Sequence, residues 1–370
     1  MRAATIGLSL NVFCKGLLTE LREEGYDVVA VSSPDADLEE LGEREDVRTV
    51  GVPMERHISI VKDFVSLMRL VRVFAKEKPD MVHSMTPKAG LLCMMAAWMV
   101  RVPVRVHTFT GLVWPTAKGL SRRVLMLTDK ITCWCATNVI PEGEGVKQDL
   151  ECCITKKPMK VLGYGNVKGV DLEYWKRSEE SDNQGVGDVV RFVFVGRIVK
   201  DKGMNELVSA FVRLNRECPD TKLVLVGPYE DGLDPVLPET KRMIDECGAI
   251  DAVGSQQDVR PFYESADVLV FPSYREGFPN VVIEAGAMGL PSIVTDINGS
   301  REIVVDGENG VIVPPQNEER LYEAMAWMVS HPQERRRMAE RARPMAASRF
   351  EQGYVRGCLK DFYREILDVK

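Results

Sequence analysis

Short apolar runs alternate with longer amphipathic segments along most of the chain. Residues 27–32 (DVVAVS), 81–83 (MVH) and 104–107 (VRVH) are short and rich in β-branched side chains, which predicts strands. Residues 59–77 carry apolar positions at intervals of three and four, which predicts a helix, and 88–100 form a second, more apolar helix. This alternation predicts an α/β fold with a parallel, doubly wound sheet.

The same alternation begins again in the second half of the chain. Residues 191–195 (RFVFV), 222–227 (KLVLVG), 267–271 (DVLVF) and 291–295 (PSIVT) are predicted strands, and 204–217 is a predicted helix after the first of them. A second set of strands and helices of similar length predicts a second Rossmann-like domain.

A polar segment without periodicity, 176–189 (KRSEESDNQGVGDV), interrupts the pattern and predicts a linker. We therefore divide the chain into an N-terminal domain at 1–173, a linker at 174–190 and a C-terminal domain at 191–349. The amphipathic segment 350–370 is predicted to pack back on the N-terminal domain. Ligands of open α/β sheets bind outside the carboxyl ends of the strands, so the two domains are expected to face a central cleft.

Composition fits a folded chain in a reducing compartment. Of 370 residues, 45% are hydrophobic and 28% are charged, and no uninterrupted apolar run reaches the length of a membrane-spanning helix. The first residues lack the apolar segment of a secretory signal. The nine cysteines show no disulfide framework, and Cys133-x-Cys135 and Cys152-Cys153 lack the partners of a zinc site. We expect a cytoplasmic protein without a bound metal or cofactor.

Charge is distributed unevenly. The net charge is −7, yet residues 48–171 contain 19 Lys and Arg against 10 Asp and Glu, leaving 29 basic and 45 acidic residues elsewhere. The net negative charge of the chain and the lack of a recognisable nucleic-acid-binding module argue against a nucleic-acid partner. The basic segment indicates an anionic partner, either a phosphate-bearing substrate or a membrane surface, or else ordinary solvated charge.

The segment GRIVKDKG, residues 196–203, follows a predicted strand and precedes a predicted helix. Helix N-terminal N–H groups, together with Arg197 and Lys202, suit a diphosphate. The segment matches neither the P-loop nor the dinucleotide-binding glycine pattern. A solvated basic loop is the alternative.

Another helix is predicted to begin near Asn280, after the predicted strand 267–271. Glu276 lies in the loop before this helix, and Glu284 lies in its first turns. They suit an acid–base pair, or two carboxylates that hold a polar ligand such as vicinal ribose hydroxyls. Gly277 would let the backbone approach that ligand closely. Considered separately, each glutamate has a purely structural alternative. Glu276 is then an acidic side chain in a solvated loop, and Glu284 is an acidic side chain that interacts favourably with the dipole at a helix N-terminus.

GRIVKDKG and EGFPNVVIE together, with seven residues between Glu276 and Glu284, resemble the GT-B glycosyltransferases of family 4. The blocks LSLNVFCKGLLTELREEGYDVVAVSS, VHSMTPKAGLL, VHTFTGLVW, LGYGNVKGVDLEYW and TDINGSREIVVDGENGVIVPP extend the resemblance over most of the chain, and bacterial capsule and O-antigen sugar transferases are most similar. The resemblance implies a retaining, metal-independent hexosyltransferase that uses a nucleotide-diphospho-sugar, with UDP as the preferred nucleotide and an N-acetylhexosamine as one candidate sugar.

The resemblance also implies residue roles. Arg197 and Lys202 would neutralise the departing diphosphate, Glu284 would bind the ribose, and Glu276 would contact the donor sugar. The full set of donor-binding residues would be Lys15, Gly16, Gly196, Arg197, Lys202, Gly277, Phe278, Pro279, Asn280 and Glu284. Lys15 and Gly16 are placed in the first βα loop.

In the N-terminal domain the resemblance points to His107 as a catalytic residue. The usual family pattern has histidine directly before glycine, whereas in HTFTG that position holds Thr110. His83, Thr86, Lys88 and Thr110 would contact the acceptor.

A polyprenyl-diphosphate-linked glycan is the expected acceptor, at the inner face of the cytoplasmic membrane. Lys118, Arg122 and Arg123, beside Leu120 and Val124, would support peripheral membrane contact. Two alternatives are a nucleotide-sugar 2-epimerase and an inactive nucleotide-sugar-binding subunit.

One further motif, Asp35-Ala36-Asp37, mimics the metal-binding DxD of the other major glycosyltransferase fold. It comes early in the chain, after only a second predicted strand. We therefore predict a surface loop there rather than a metal site.

Overall fold

The computed structural model divides the chain into two compact units. Met1–Lys168 and Gly353–Lys370 form the first unit, and Gly169–Gln352 form the second. The structure describes residues 1–55, 59–178, 189–230, 232 and 234–367. Most of the predicted linker, residues 179–188, therefore lies outside the described residues.

The first unit contains a six-stranded parallel sheet in the order β3-β2-β1-β4-β5-β6. The strand order reverses between β1 and β4, which is the topological switch point of a doubly wound sheet. The strands are β1 (Arg2–Ala3), β2 (Val29–Ser32), β3 (Arg48–Gly51), β4 (Met81–Met85), β5 (Val104–Phe109) and β6 (Asn138–Pro141).

Helices pack on the two faces of this sheet in separate apolar clusters. They are α1 (Gly7–Phe13), α2 (Leu17–Glu23), α3 (Ala36–Glu45), α4 (Ile60–Glu77), α5 (Pro87–Met99), α6 (Gly119–Cys135) and α7 (Glu144–Cys153). Residues of α4, α5 and α6 join one cluster, and residues of α1, α2 and α3 join another. Helix α4 buries Leu67, Leu70 and Phe74, at the helical spacing seen in the sequence.

The second unit repeats this plan with the sheet order β12-β11-β10-β7-β8-β9. Its strands are β7 (Val190–Val195), β8 (Thr221–Val226), β9 (Ile250–Gly254), β10 (Val268–Phe271), β11 (Ser292–Thr295) and β12 (Gly310–Val313). Its helices are α8 (Met204–Glu217), α9 (Pro238–Glu246), α10 (Arg260–Glu264), α11 (Asn280–Ala287), α12 (Ser300–Ile303), α13 (Glu318–Ser330) and α14 (Pro332–Phe350). The predicted α/β class with two Rossmann-like domains is confirmed.

The switch point of the second sheet lies between β7 and β10. The loops that follow these neighbouring strands begin at Gly196 and Pro272, so the two sequence motifs meet at one edge of the sheet. This topology positions the candidate site.

The last helix, α15 (Gln352–Leu367), contributes Leu359, Phe362 and Tyr363 to the same cluster as α1, α2 and α3. All nine cysteines are free thiols. Within the described residues, no helix is both long enough and apolar enough to cross a bilayer.

Candidate active site

The loop after β7 turns sharply at Gly203 before α8 begins. Residues Lys200–Lys202 form one 3₁₀ turn, and Gly203 has a φ of 70° in the left-handed region. A Cβ at this position would lie 2.1 Å from the carbonyl oxygen of Pro272. Glycine therefore lets the N-terminus of α8 sit directly against the end of β10.

Lys202 and Glu276 form an ion pair across the two loops. Their side chains are only 14% and 17% exposed, and the Lys202 ammonium lies 5.4 Å from the centroid of the Phe271 ring. The hydroxyl of Ser273 donates to the same Glu276 oxygen at 2.7 Å. The structure thus brings two of the predicted residues into direct contact at the switch point.

Arg197 points to a different partner. Its guanidinium donates to Glu230 at 2.6 Å, in the loop after β8, and both side chains are at least one-third exposed. Exposed ion pairs contribute roughly 0–1 kcal/mol, so this contact opposes a move of Arg197 toward a ligand only weakly. Gly196 lies at the base of the same loop, at the end of β7.

Glu284 lies in the second turn of α11 and is 9% exposed. Burial, together with the negative charge of Glu284, raises the pKa of Tyr263 well above its ordinary value. Glu276 and Glu284 therefore have different environments: one is held in an ion pair on a loop, and the other is buried on a helix. That difference favours two ligand contacts over a symmetric acid–base pair.

The loop from Gly277 to Asn280 is fixed by its neighbours. A Cβ at Gly299, where φ is 75°, would lie 2.4 Å from the carbonyl oxygen of Gly277. Phe278 is 5% exposed, with its ring centroid 5.5 Å from that of Phe350. Pro279 precedes α11 in an extended conformation and Asn280 opens it. The backbone of this loop is held in place before any ligand arrives.

Sequence reasoning missed the residues that support Glu276 and the Lys202 turn. Ser273 is fully buried, and its carbonyl oxygen accepts a hydrogen bond from Thr295. The hydroxyl of Tyr274 donates to Glu206 at 2.6 Å, and its amide donates to the carbonyl oxygen of Asp201 at 2.8 Å. The available signal was position, because Ser273 and Tyr274 lie two and three residues beyond the end of β10.

In the first unit, His107 is buried beneath the end of β5. It is 1% exposed, and its Nδ1 shares a hydrogen bond of 2.9 Å with the Ser84 hydroxyl. Burial lowers the pKa of His107 to about 3 against a smaller opposing effect of Ser84. The ring is therefore neutral near pH 7 and does not act there as a charged acid.

This burial makes stability depend on pH. Native His107 titrates near pH 3 and the unfolded residue near 6.5, so between these values the unfolded state binds more protons. The free energy of unfolding should fall by about 2 kcal/mol between pH 6.5 and 5 from this residue alone. In urea unfolding at several pH values, the free energy of unfolding of His107→Gln should fall less steeply with decreasing pH than that of the wild type. His331→Gln, at an exposed histidine, should show the wild-type dependence on pH. Parallel curves for wild type and His107→Gln would contradict this account.

His83 is also held inside the first unit. Its Nδ1 contacts Arg2 and the Tyr363 hydroxyl, the latter at 2.5 Å, and its Nε2 shares a 2.7 Å hydrogen bond with Thr108. Burial, followed by the charge of Arg2, lowers the pKa of His83 well below its ordinary value. Both ring nitrogens are engaged, so the predicted contact of His83 with an acceptor is not supported by this geometry.

The other predicted acceptor residues lie at the carboxyl ends of β4 and β5. Thr86 shares a 2.8 Å hydrogen bond with the Thr5 hydroxyl, and Lys88 donates to Asp63 at 2.7 Å. Thr110 follows β5 and lines a pocket together with Thr86 and His107. These positions share one edge of the first sheet.

The placement of Lys15 and Gly16 in the first βα loop was wrong. Residues 4–6 form that loop, α1 follows from Gly7, and Gly16 is the N-cap residue of α2. The Gly16 amide donates to the buried carboxylate of Glu45 at 2.8 Å, and the Lys15 carbonyl oxygen accepts from Arg356. The first helix therefore begins at Gly7 and ends before Lys15 and Gly16.

The Asp35-Ala36-Asp37 motif is the start of a helix and not a surface loop. Asp35 caps α3 by accepting from the Leu38 amide at 2.9 Å, and its second oxygen accepts from the Gly7 amide at 3.0 Å. Its carboxylate thus joins α1 to α3. Across the described residues, no group of three or more His, Cys, Asp or Glu side chains is arranged to hold a metal.

Comparison with known proteins assigns both halves of the chain. Residues 176–345 match the model for glycosyl transferases group 1, and residues 10–162 match that for a glycosyl transferase 4-like domain. The capsular polysaccharide biosynthesis glycosyltransferase CapM of Staphylococcus aureus is 32% identical over 95% of this chain and 93% of that protein.

A second relative is the Escherichia coli UDP-Gal:alpha-D-GlcNAc-diphosphoundecaprenol alpha-1,3-galactosyltransferase. It is 30% identical over 73% of this chain and 71% of that protein. Among solved structures, Anabaena HepE in complex with UDP has a TM-score of 0.80 at 17% identity, covering 98% of this chain and 99% of that one. The chain belongs to the family 4 glycosyltransferases and has the GT-B fold.

Proposed function

We propose that this glycosyltransferase is a retaining, metal-independent enzyme of capsule or surface polysaccharide biosynthesis. It transfers a hexose or N-acetylhexosamine from a UDP-sugar to a lipid-linked glycan. The observation that carries the proposal is the contact between Lys202 and Glu276 at the switch point of the second sheet, beside the N-terminus of α8. A cation, a carboxylate and helix N–H groups at one edge suit a sugar attached to a diphosphate.

In the proposed reaction, the bond between the sugar C1 and the diphosphate oxygen breaks while the acceptor oxygen bonds to C1 on the same face. Lys202 stabilises the negative charge that develops on the leaving diphosphate. The departing phosphate oxygen takes the acceptor proton. Glu276 holds donor sugar hydroxyls and Glu284 holds the ribose.

The relatives support the choice of substrates. HepE was solved with UDP, the Escherichia coli enzyme is named for a UDP-sugar donor and a diphosphoundecaprenol-linked acceptor, and CapM is named for capsular polysaccharide. A lipid-linked acceptor would place this enzyme at the inner face of the cytoplasmic membrane.

A donor screen followed by a transfer assay tests the proposal. A nucleotide sugar at 100 times its Kd should stabilise the folded protein by about 2.7 kcal/mol. The stabilising donor is then incubated with a polyprenyl-diphosphate-linked sugar, with and without the enzyme. Transfer with retained anomeric configuration, undiminished by EDTA, is the expected result. UDP release with epimerised sugar and no acceptor would indicate the 2-epimerase, and stabilisation without any turnover would indicate an inactive binding subunit.

An exposed apolar stripe on α6 supports membrane contact. Leu120 is 74% exposed, Leu127 57% and Trp134 65%, with Arg123 and Lys130 also exposed along the same helix. The first turns of α4 add a second group of exposed apolar side chains, comprising Ile60 at 84%, Val61 at 76% and Phe64 at 61%. Apolar side chains flanked by cations are typical of helices that lie on anionic membranes.

Replacing Leu120 and Leu127 with aspartate should weaken binding to anionic vesicles more than tenfold. Each exposed leucine that enters the bilayer contributes about 1.5–3 kcal/mol, and added negative charge opposes anionic lipid. Vesicle co-sedimentation measures the effect. Leu237→Asp, at a leucine that is 54% exposed in the second unit, is the matched control and should bind like wild type. Equal binding by all three proteins would remove α6 from the proposed membrane surface.

A further inference from the structure

Ser273 lies where the two loops of the candidate site meet. It is fully buried, and its hydroxyl lies 2.7 Å from the Oε1 atom of Glu276. The same Glu276 oxygen forms the ion pair with Lys202. Within the part of the chain that the structure describes, Lys202 and Ser273 are the two side chains that bind the Glu276 carboxylate. One carboxylate oxygen is therefore shared between a cation and a hydroxyl.

These two partners of Glu276 have different tasks in the proposed reaction. Lys202 binds the donor diphosphate, so its ion pair with Glu276 weakens when the donor arrives. Ser273 has no second task, because its fully buried side chain is closed off from solvent. Its hydroxyl is therefore the group that continues to orient Glu276 while the carboxylate holds the donor sugar.

The Ser273 hydroxyl has other acceptors nearby, but Glu276 is the strongest of them. The carbonyl oxygens of Arg275 and Asp201 lie 3.1 and 3.3 Å from the hydroxyl oxygen, against 2.7 Å for the Glu276 carboxylate. Hydrogen bonds to an ionised acceptor are shorter and roughly twice as strong as those between neutral groups. The hydroxyl therefore donates to Glu276.

Ser273 is held in place by contacts that do not depend on the ion pair of the site. Its carbonyl oxygen accepts a hydrogen bond from Thr295, which ends the neighbouring strand β11. The amide of Tyr274 donates to the carbonyl oxygen of Asp201 at 2.8 Å, and Arg275 pairs with the Asp201 carboxylate at 3.3 Å. These contacts join the two loops separately from the ion pair.

We propose that Ser273 is a positioning residue, which fixes the Glu276 carboxylate so that the enzyme recognises the sugar of its donor. The inference rests on the proposed function and adds to it the group that keeps Glu276 in place during transfer. Ser273 acts through Glu276 and takes no part in bond making. A carboxylate that is already oriented needs no further ordering when the sugar binds, which lowers the cost of binding.

Removing this hydroxyl should separate the binding of the sugar from the binding of the diphosphate. In Ser273→Ala, the affinity for the stabilising nucleotide sugar should fall about fivefold, because Glu276 loses a hydrogen bond that orients it. The kcat for transfer should fall roughly tenfold or more, since the sugar is held less accurately. UDP affinity should change less than about twofold, because Lys202 is intact. Calorimetric titration of the full chain with each ligand, and transfer kinetics, measure these effects.

Two further variants distinguish positioning from a general effect on the fold. In a Glu276→Ala background, Ser273→Ala should weaken nucleotide-sugar binding less than about twofold, because the group through which Ser273 acts is missing. The full fivefold loss in that background would contradict action through Glu276. Ser292→Ala removes another buried serine hydroxyl, at the start of β11, and should bind both ligands like the wild type.

Two results with Ser273→Ala alone would also overturn the inference. Equal weakening of UDP and nucleotide-sugar binding would indicate a structural role, and wild-type affinities for both would show that Glu276 needs no such support. The glycosyltransferase mechanism stands in either case if the wild type transfers sugar. If no nucleotide sugar stabilises the wild type, the proposed function itself is wrong, and the inference fails with it.

Discussion

Replacing Lys202 with alanine should lower kcat/KM for sugar transfer by a hundred- to a thousand-fold. Removing one preorganised group that stabilises developing negative charge costs roughly this much in enzymes that rely on electrostatic stabilisation. Lys202 is the cation that contacts Glu276 directly, and its side chain is only 14% exposed, so water screens its charge little. Steady-state transfer kinetics with the stabilising donor measure the loss.

The neighbouring lysine provides a matched control. Lys200 lies in the same 3₁₀ turn but is exposed, so Lys200→Ala changes the same net charge without removing the contact at the site. It should retain activity within about threefold, since surface charges are screened. Equal losses in the two variants would indicate a general effect of loop charge and would contradict a specific role for Lys202.

The fold was predictable because parallel strands buried on both faces leave a strong signal. In β7 the residues Phe192, Val193 and Phe194 are all fully buried, and such an apolar run bounded by a glycine is recognisable without a structure. The start of the chain carried less signal. Strand β1 has only two residues and two short helices follow it, so periodicity could not place Gly16 correctly.

The candidate site was predictable in part, for a physical reason. Lys202 and Glu276 follow adjacent strands of the second sheet, and parallel topology brings the ends of such strands together. Side-chain direction does not follow from topology. The contact of Arg197 with Glu230 and the engagement of both His83 nitrogens depend on residues far away in sequence, so only the three-dimensional structure shows them.

The contact between Lys202 and Glu276 should also affect how tightly the enzyme binds a nucleotide and a nucleotide sugar. The Glu276 carboxylate neutralises Lys202, which in the proposed mechanism is the cation that binds the donor diphosphate. A diphosphate must therefore compete with Glu276, whereas a complete nucleotide sugar can satisfy both groups, the phosphate binding Lys202 and the sugar hydroxyls binding Glu276. Under the proposed mechanism, we therefore expect the ion pair to favour the intact nucleotide sugar over UDP.

Glu276→Gln should consequently change two measurements in opposite directions. The kcat for transfer should fall about a hundred-fold, because a charged acceptor of sugar hydrogen bonds is lost where the transition state forms. The affinity for UDP alone should rise about fivefold, since an ion pair worth about 1 kcal/mol no longer competes for Lys202. Calorimetric titration with UDP and transfer kinetics on the same preparation measure both.

The pair of Arg197 with Glu230 supplies the control for this competition. Glu230→Gln removes the partner of Arg197. Because that ion pair is at least one-third exposed and therefore weak, UDP affinity should change less than twofold and kcat should stay near the wild-type value. Weaker UDP binding by Glu276→Gln would show that Glu276 supports the diphosphate site and does not compete for it. In the double variant Lys202→Ala/Glu276→Gln, the gain in UDP affinity should disappear, because the cation released by the second change is no longer present.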